Sequence, residues 1–153
     1  MKTLKFSSMG LTLVAIFGLM AFAQQGRTQE KKVDHTEHSA IMQECAKACS
    51  DCQRACDLCA THCAHMLNEG KKEHLTTLAT CRDCATVCSA AAQIVARGGP
   101  FSNTICEACA KACGDCGKAC EKFPDDKHMK ACAEECRKCE KACLAMVKHM
   151  AGK

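Results

Sequence analysis

Eighteen cysteines lie between residues 45 and 143, grouped in four clusters. The first is Cys45, Cys49, Cys52, Cys56, Cys59 and Cys63. The second is Cys81, Cys84 and Cys88. The third is Cys106, Cys109, Cys113, Cys116 and Cys120, and the fourth is Cys132, Cys136, Cys139 and Cys143. Every gap inside a cluster is three or four residues, the spacing of one face of an α-helix. At about 100° per residue, the six cysteines of the first cluster stay within roughly 40° of one line. On a strand they would divide between two faces. The chain therefore puts thiols where a helical bundle normally puts leucine. Thiolates are soft metal ligands, so this pattern points to metal chemistry.

Eight C-x-x-x-C pairs account for sixteen of the cysteines and leave Cys81 and Cys106. The two sulfurs of such a pair sit one turn apart on the same helix. Together they can grip an ion that accepts few ligands, and Cu(I), which is soft, suits that arrangement. Zinc requires four ligands in a tetrahedron, which a row of in-helix pairs supplies less naturally. Broad soft-metal (Zn/Cu) detoxification is the alternative within metal chemistry. A disulfide-stapled structural or interaction protein is the alternative outside it. Against that second alternative, bridges within one helix would constrain nothing distant and have poor geometry. Iron–sulfur runs of the form C-x-x-C-x-x-C and the haem signature C-x-x-C-H are both absent. Eighteen similar cysteines also argue against a redox enzyme, which needs one or two privileged ones.

Four helices must position these thiols. The pattern predicts helices from Asp34 to about Glu69, from Lys72 to Arg97, from Ser102 or Asn103 to Lys122, and from Asp125 or Asp126 to Met150. Gly70, Gly98-Gly99-Pro100 and Phe123-Pro124 separate them. Short turns make neighbours antiparallel. The expected fold is all-α, an antiparallel up-down-up-down four-helix bundle with a cysteine-lined core over residues 34–153. Leu75 and Leu78 are expected to continue the second helix's stripe, and His62, His65 and His149 fall off the stripes and are expected at the surface. Gly114 and Gly117 either allow close helix approach or are simply tolerated.

Antiparallel order gathers His38, Met42, Met146 and Met150 at one end of the bundle. Met66, His74, His128 and Met129 gather at the other. Methionine on a stripe serves as core filler. The functional alternative is that His38, Met42, Met146 and Met150 form an entry mouth that passes Cu(I) inward.

Residues 1–23 have the form of a signal peptide. Lys2 and Lys5 form a basic start, Leu11–Ala23 is a 13-residue apolar run, and Ala21-Phe22-Ala23 is a cleavage site. That run is too short for a comfortable membrane span, so no stable membrane association is expected after removal. No twin arginine precedes it, which favours a general secretory route. Residues 24–33 read as a flexible polar tail. Removing Lys2 and Lys5 from a net charge of +4 leaves about +2. The charges alternate in sign, as on a solvated helix face, and the chain has no tyrosine or tryptophan. Nucleic-acid binding is excluded as a serious class. The cleaved chain holds two aromatics, Phe101 and Phe123, and few large aliphatics, so cysteine and alanine must fill the interior.

Over residues 34–150 the four cysteine rows and repeated C-x-x-x-C pairs resemble the copper storage proteins. The resemblance implies sequestration without catalysis, with all eighteen cysteines as ligands to many Cu(I) ions and a His/Met mouth as entrance. It also implies a homotetramer. Exported members, some of which supply copper enzymes, typically carry a twin-arginine signal, and this chain departs from them there. An exported, periplasmic location is the expectation.

Overall fold

The computed structural model describes the backbone of residues 35–152, with side chains from Ala40 onward. The expected signal peptide (1–23), the tail (24–33), the Asp34 cap and the side chain of His38 lie outside the described residues. Four α-helices follow: α1 (His35–Asn68), α2 (Leu75–Ala96), α3 (Ser102–Cys120) and α4 (Lys127–Ala151). Each helix packs on its two ring neighbours, α1 on α2 and α4, and α3 on α2 and α4. This is the expected up-down-up-down bundle.

Glycine ends the first two helices as the sequence predicts. Gly70 has φ +86° and Gly98 φ +61°, a region L-residues rarely occupy. At α1 the Gly70 amide donates to Leu67 O (2.9 Å) and Lys71 to Met66 O (3.0 Å). At α2 Gly98 donates to Val95 O (2.9 Å) and Gly99 to Ile94 O (3.0 Å). Both are Schellman motifs, which satisfy the last helical carbonyls. Asp126 is the cap of α4: its carboxylate accepts from the His128 and Met129 amides at 2.9 and 3.2 Å.

Three local expectations need correction. Residues Lys72–His74 form a single 3₁₀ turn, so α2 proper begins at Leu75. At α3 neither Ser102 nor Asn103 caps. The Ser102 hydroxyl donates back to Gly99 O (2.7 Å), the Asn103 amide is drawn to Glu107 (2.7 Å), and Phe101 occupies the cap position. Leu75 is 61% exposed, and Thr77 and His74 are buried instead. Counting back four and seven from Cys81 reaches positions 77 and 74, whereas 75 falls outside that stripe.

The core is built of cysteine and alanine, and its largest fully buried side chains are Met129, Met146, Val95 and Thr77. Side chains of α4, not its backbone, lie against Gly114 and Gly117. A Cβ at Gly117 would stand 3.1 Å from the Arg137 guanidinium carbon, and one at Gly114 2.7 Å from a Glu140 carboxylate oxygen. Arg137 lies across α3 there. It donates to Glu121 twice (2.8 Å each), to Glu140 (3.0 Å) and to Gly114 O (3.2 Å).

Candidate metal centre

All eighteen cysteines are free thiols, and none is more than 1% exposed. The helical stripes turn every one inward, so the sulfurs form a continuous column. α1 and α3 occupy opposite corners and run parallel, which sets their sulfurs in a ladder. Its rungs are Cys45–Cys106 (3.6 Å), Cys49–Cys109 (3.9 Å), Cys52–Cys113 (3.7 Å), Cys56–Cys116 (3.8 Å) and Cys59–Cys120 (3.9 Å). α4 runs the other way along α1. Its contacts retreat from Cys49–Cys143 (3.6 Å) through Cys52–Cys136 (3.7 Å) to Cys56–Cys132 (3.8 Å). They finish at the Cys59 thiol, which donates to the Met129 thioether at 3.3 Å. α2 docks its three thiols on α3: Cys88–Cys113 (3.5 Å), Cys84–Cys113 (3.8 Å), Cys81–Cys116 (3.7 Å).

In-helix pairs also meet, with Cys52–Cys56, Cys84–Cys88 and Cys109–Cys113 at 3.9 Å each. The shorter contacts run between helices, however, and they gather the sulfurs in fours. Three of these tetrads share no residue. The first is Cys49, Cys109, Cys139 and Cys143. The second is Cys52, Cys84, Cys88 and Cys113. The third is Cys56, Cys116, Cys132 and Cys136. Within each tetrad the four sulfurs lie inside 4.8 Å of one another. Others overlap them, such as Cys59, Cys81, Cys120 and Cys132, so one thiol can belong to two groups. The row of in-helix pairs visible in the sequence hides this grouping, because it depends on how three helices meet.

The thiol network polarises its members. Hydrogen bonding with Cys113 and Cys136 holds the Cys52 thiol far below the usual range, and bonding with Cys113 and Cys116 does the same to Cys84. Cys116 leads in lowering Cys120 to about 5. Others move the opposite way: hydrogen bonding with Cys109 and Cys139 pushes Cys113 up, and bonding with Cys116 and Cys132 pushes Cys56 up. At the edge of the network, burial pushes Cys63 up to about 11. A thiolate formed inside is thus held by neighbouring S–H donors until a cation replaces their protons.

The two ends of the column differ. Beyond Cys45 and Cys143, Met146 is fully buried, while Met42 and Met150 are partly buried against the core. Met42 lies under the α2–α3 turn, where its Cε comes within 3.0 Å of a Cβ built on Gly98. The opposite end is closed by rings. His74 stacks on Phe123 (4.2 Å between centroids) and His128 on His62 (4.5 Å). His62 also pairs with the Asp126 carboxylate at 2.6 Å, so it is no free surface residue. Register with the cysteines placed it off the stripe but could not show the α3–α4 turn folding over it. Burial opposes the charge on Asp126, but His62 and the first amides of α4 hold its carboxyl below the usual range. His74 is buried, and its Nδ1 has no hydrogen-bond partner. His65 is exposed and His149 partly buried.

A bundle whose interior is a column of thiols defines a soft-metal-binding class of protein. The family model for copper storage proteins matches residues 36–148. The chain belongs to the copper storage protein family. A cytosolic copper storage protein from Streptomyces lividans, studied during copper loading, superposes with a TM-score of 0.68 at 30% identity. The match covers 73% of this chain and 96% of that one. The Cu(I)-bound copper storage protein BsCsp3 superposes with a TM-score of 0.63 at 32% identity, over 70% of this chain and 98% of that one. The cysteine-rich protein YhjQ of Bacillus subtilis (strain 168) is 37% identical over 83 residues, which is 54% of this chain and 74% of that protein.

Proposed function

We propose that this chain stores Cu(I), many ions per bundle, with all eighteen cysteines as ligands. The observation that carries the proposal is the overlap of the tetrads. Most sulfurs face two or more others at 3.5–3.9 Å, so thiolates can bridge successive ions and the count can approach one ion per thiolate. The same feature disfavours a disulfide scaffold, which needs each sulfur to have one partner. With one Cu(I) per thiolate the core is neutral, which avoids the heavy cost of an uncompensated buried charge. Sequestration needs no catalytic group.

His38, Met42, Met146 and Met150 are proposed as the entry mouth, because they continue the thiol column with weaker soft ligands at one end. Residues 1–23 are proposed to direct export to the periplasm, on their basic start, apolar run and Ala21-Phe22-Ala23 site. Among the described residues no helix is long and apolar enough to cross a membrane. Assembly as a homotetramer and supply to a copper enzyme outside the cytoplasm follow from the family resemblance.

Anaerobic Cu(I) titration of the reduced, metal-free protein against a competing chelator tests the storage proposal. Tight uptake approaching the cysteine count is expected. Saturation at a single ion would overturn it. Sedimentation and cell fractionation test assembly and export.

A further inference from the structure

The geometry points to a second metal chemistry: the metal-free bundle binds tetrahedral divalent ions, Zn(II) foremost, at three tetrathiolate sites that Cu(I) later empties. The zinc sites stand on the sulfur positions alone, and their emptying by Cu(I) rests on the copper proposal.

With Zn–S bonds of about 2.3 Å, the edge of a ZnS₄ tetrahedron is about 3.8 Å. At that bond length a linear two-coordinate ion would instead hold its sulfurs about 4.6 Å apart. In the first tetrad the edges Cys49–Cys109, Cys49–Cys143, Cys109–Cys139 and Cys49–Cys139 measure 3.9, 3.6, 3.8 and 3.7 Å. In the second, Cys52–Cys113, Cys84–Cys88, Cys84–Cys113 and Cys88–Cys113 measure 3.7, 3.9, 3.8 and 3.5 Å. In the third, Cys56 stands 3.8, 3.7 and 3.8 Å from Cys116, Cys136 and Cys132. Four, four and three of the six edges of these tetrads thus stand near the tetrahedral spacing, and the rest lie within 4.8 Å; four buried sulfurs drawn from three helices are what a structural zinc site requires. The first and third tetrads join α1, α3 and α4, and the second joins α1, α2 and α3. Three ions would therefore tie all four helices together.

Charge fixes the order of events. A zinc ion entering a tetrad displaces whatever thiol protons remain there and leaves a [Zn(SR)₄] unit of charge −2. Three such units place −6 in a buried core. Neighbouring protonated thiols ease that charge; Cys45, outside all three tetrads, donates to Cys143 at 3.8 Å. Four Cu(I) ions on the same four thiolates give a neutral unit and release one Zn(II), so the balance closes and the buried charge disappears. Zinc is then a placeholder that occupies thiols and stiffens the bundle until Cu(I) arrives.

The test uses the reduced, metal-free full chain under anaerobic conditions. Co(II) is titrated first, because tetrahedral tetrathiolate cobalt has intense, diagnostic ligand-field and charge-transfer bands. Zn(II) follows against a chromophoric chelator, and then Cu(I). The expected result is at least three tetrathiolate ions per chain, a higher thermal midpoint with zinc bound, and return of the zinc to the chelator as Cu(I) is added. Fewer than three, or weak octahedral cobalt bands alone, would overturn the inference. Cu(I) uptake in the same sample separates that failure from failure of the storage proposal.

Discussion

Met129→Ala asks how much of the metal-free fold rests on its few large buried side chains. Met129 is fully buried and, with Met146, is the largest side chain in the core. Truncation to alanine removes Cγ, Sδ and Cε. The transfer term alone is about 2 kcal/mol, at roughly 0.8 kcal/mol per methylene-sized group. The cavity left behind raises the expected cost to about 2–5 kcal/mol. Losing the acceptor of the Cys59 thiol adds about 0.5–1.5 kcal/mol. Against a typical domain stability of about 5–15 kcal/mol, the variant would forfeit a large share. The assay is anaerobic urea unfolding of reduced, metal-free protein, with Met129→Leu as the volume-conserving control, expected to cost below about 1.5 kcal/mol. Adding Cys59→Ala closes a double-mutant cycle and isolates the S–H···S contact. A cost under about 1 kcal/mol for Met129→Ala, with an unchanged unfolding slope, would refute the reasoning. It would mean that this end of the core repacks freely around cysteine and alanine.

Other outcomes follow from the same geometry. Replacing Met42, Met146 and Met150 with leucine should slow Cu(I) loading and spare final capacity, and stopped-flow loading at unchanged rate would reject the entry mouth. Because thiols surrender protons to bind metal, Cu(I) affinity should fall as pH drops, with acid released on loading at neutral pH; an indicator dye in weak buffer measures it. The metal-free fold should in turn lose stability as pH rises from about 9 towards 11, since Cys63 keeps its proton in the folded state to about 11 and sheds it at about 9 when unfolded. Asp126→Ala should cost about 0.5–2 kcal/mol through the lost helix cap alone. The Asp126 carboxyl is depressed in the fold, so its contribution is present above the ordinary carboxylate range and disappears as pH falls through the depressed value. Acid titration of wild type and variant should therefore converge. His74→Phe should preserve the stack on Phe123 and remove the unpartnered Nδ1, stabilising the metal-free protein by about 1 kcal/mol or more in thermal or urea unfolding.

The helices, their order and the inward face of all eighteen thiols were legible from the cysteine spacing, because one stripe on each of four helices admits one sensible arrangement. Gly70 and Gly98 marked their helix ends for a local reason, the left-handed backbone. What was not legible depended on contact between helices. The sulfur tetrads need three helices at once, and the ring cluster needs the α3–α4 turn to bring Asp126 and Phe123 onto His62 and His74. The role of Gly114 and Gly117 was invisible without Arg137, which lies twenty residues further along the chain than Gly117. The missed stripe at Leu75 was a counting matter, with residue type outweighing register.

The parallel ladder between α1 and α3 has a consequence for traffic. Each rung is 3.6–3.9 Å and the next begins one helical turn or less away, so an ion can pass along the column by exchanging one sulfur at a time, never becoming bare. With His74, Phe123, His62 and His128 packed at one end, the mouth proposed at the Met146 end would serve as both entrance and exit. On that proposal the last ion admitted would be the first to leave, and the earliest arrivals beside Cys59 would form a reserve that empties after everything nearer Cys45.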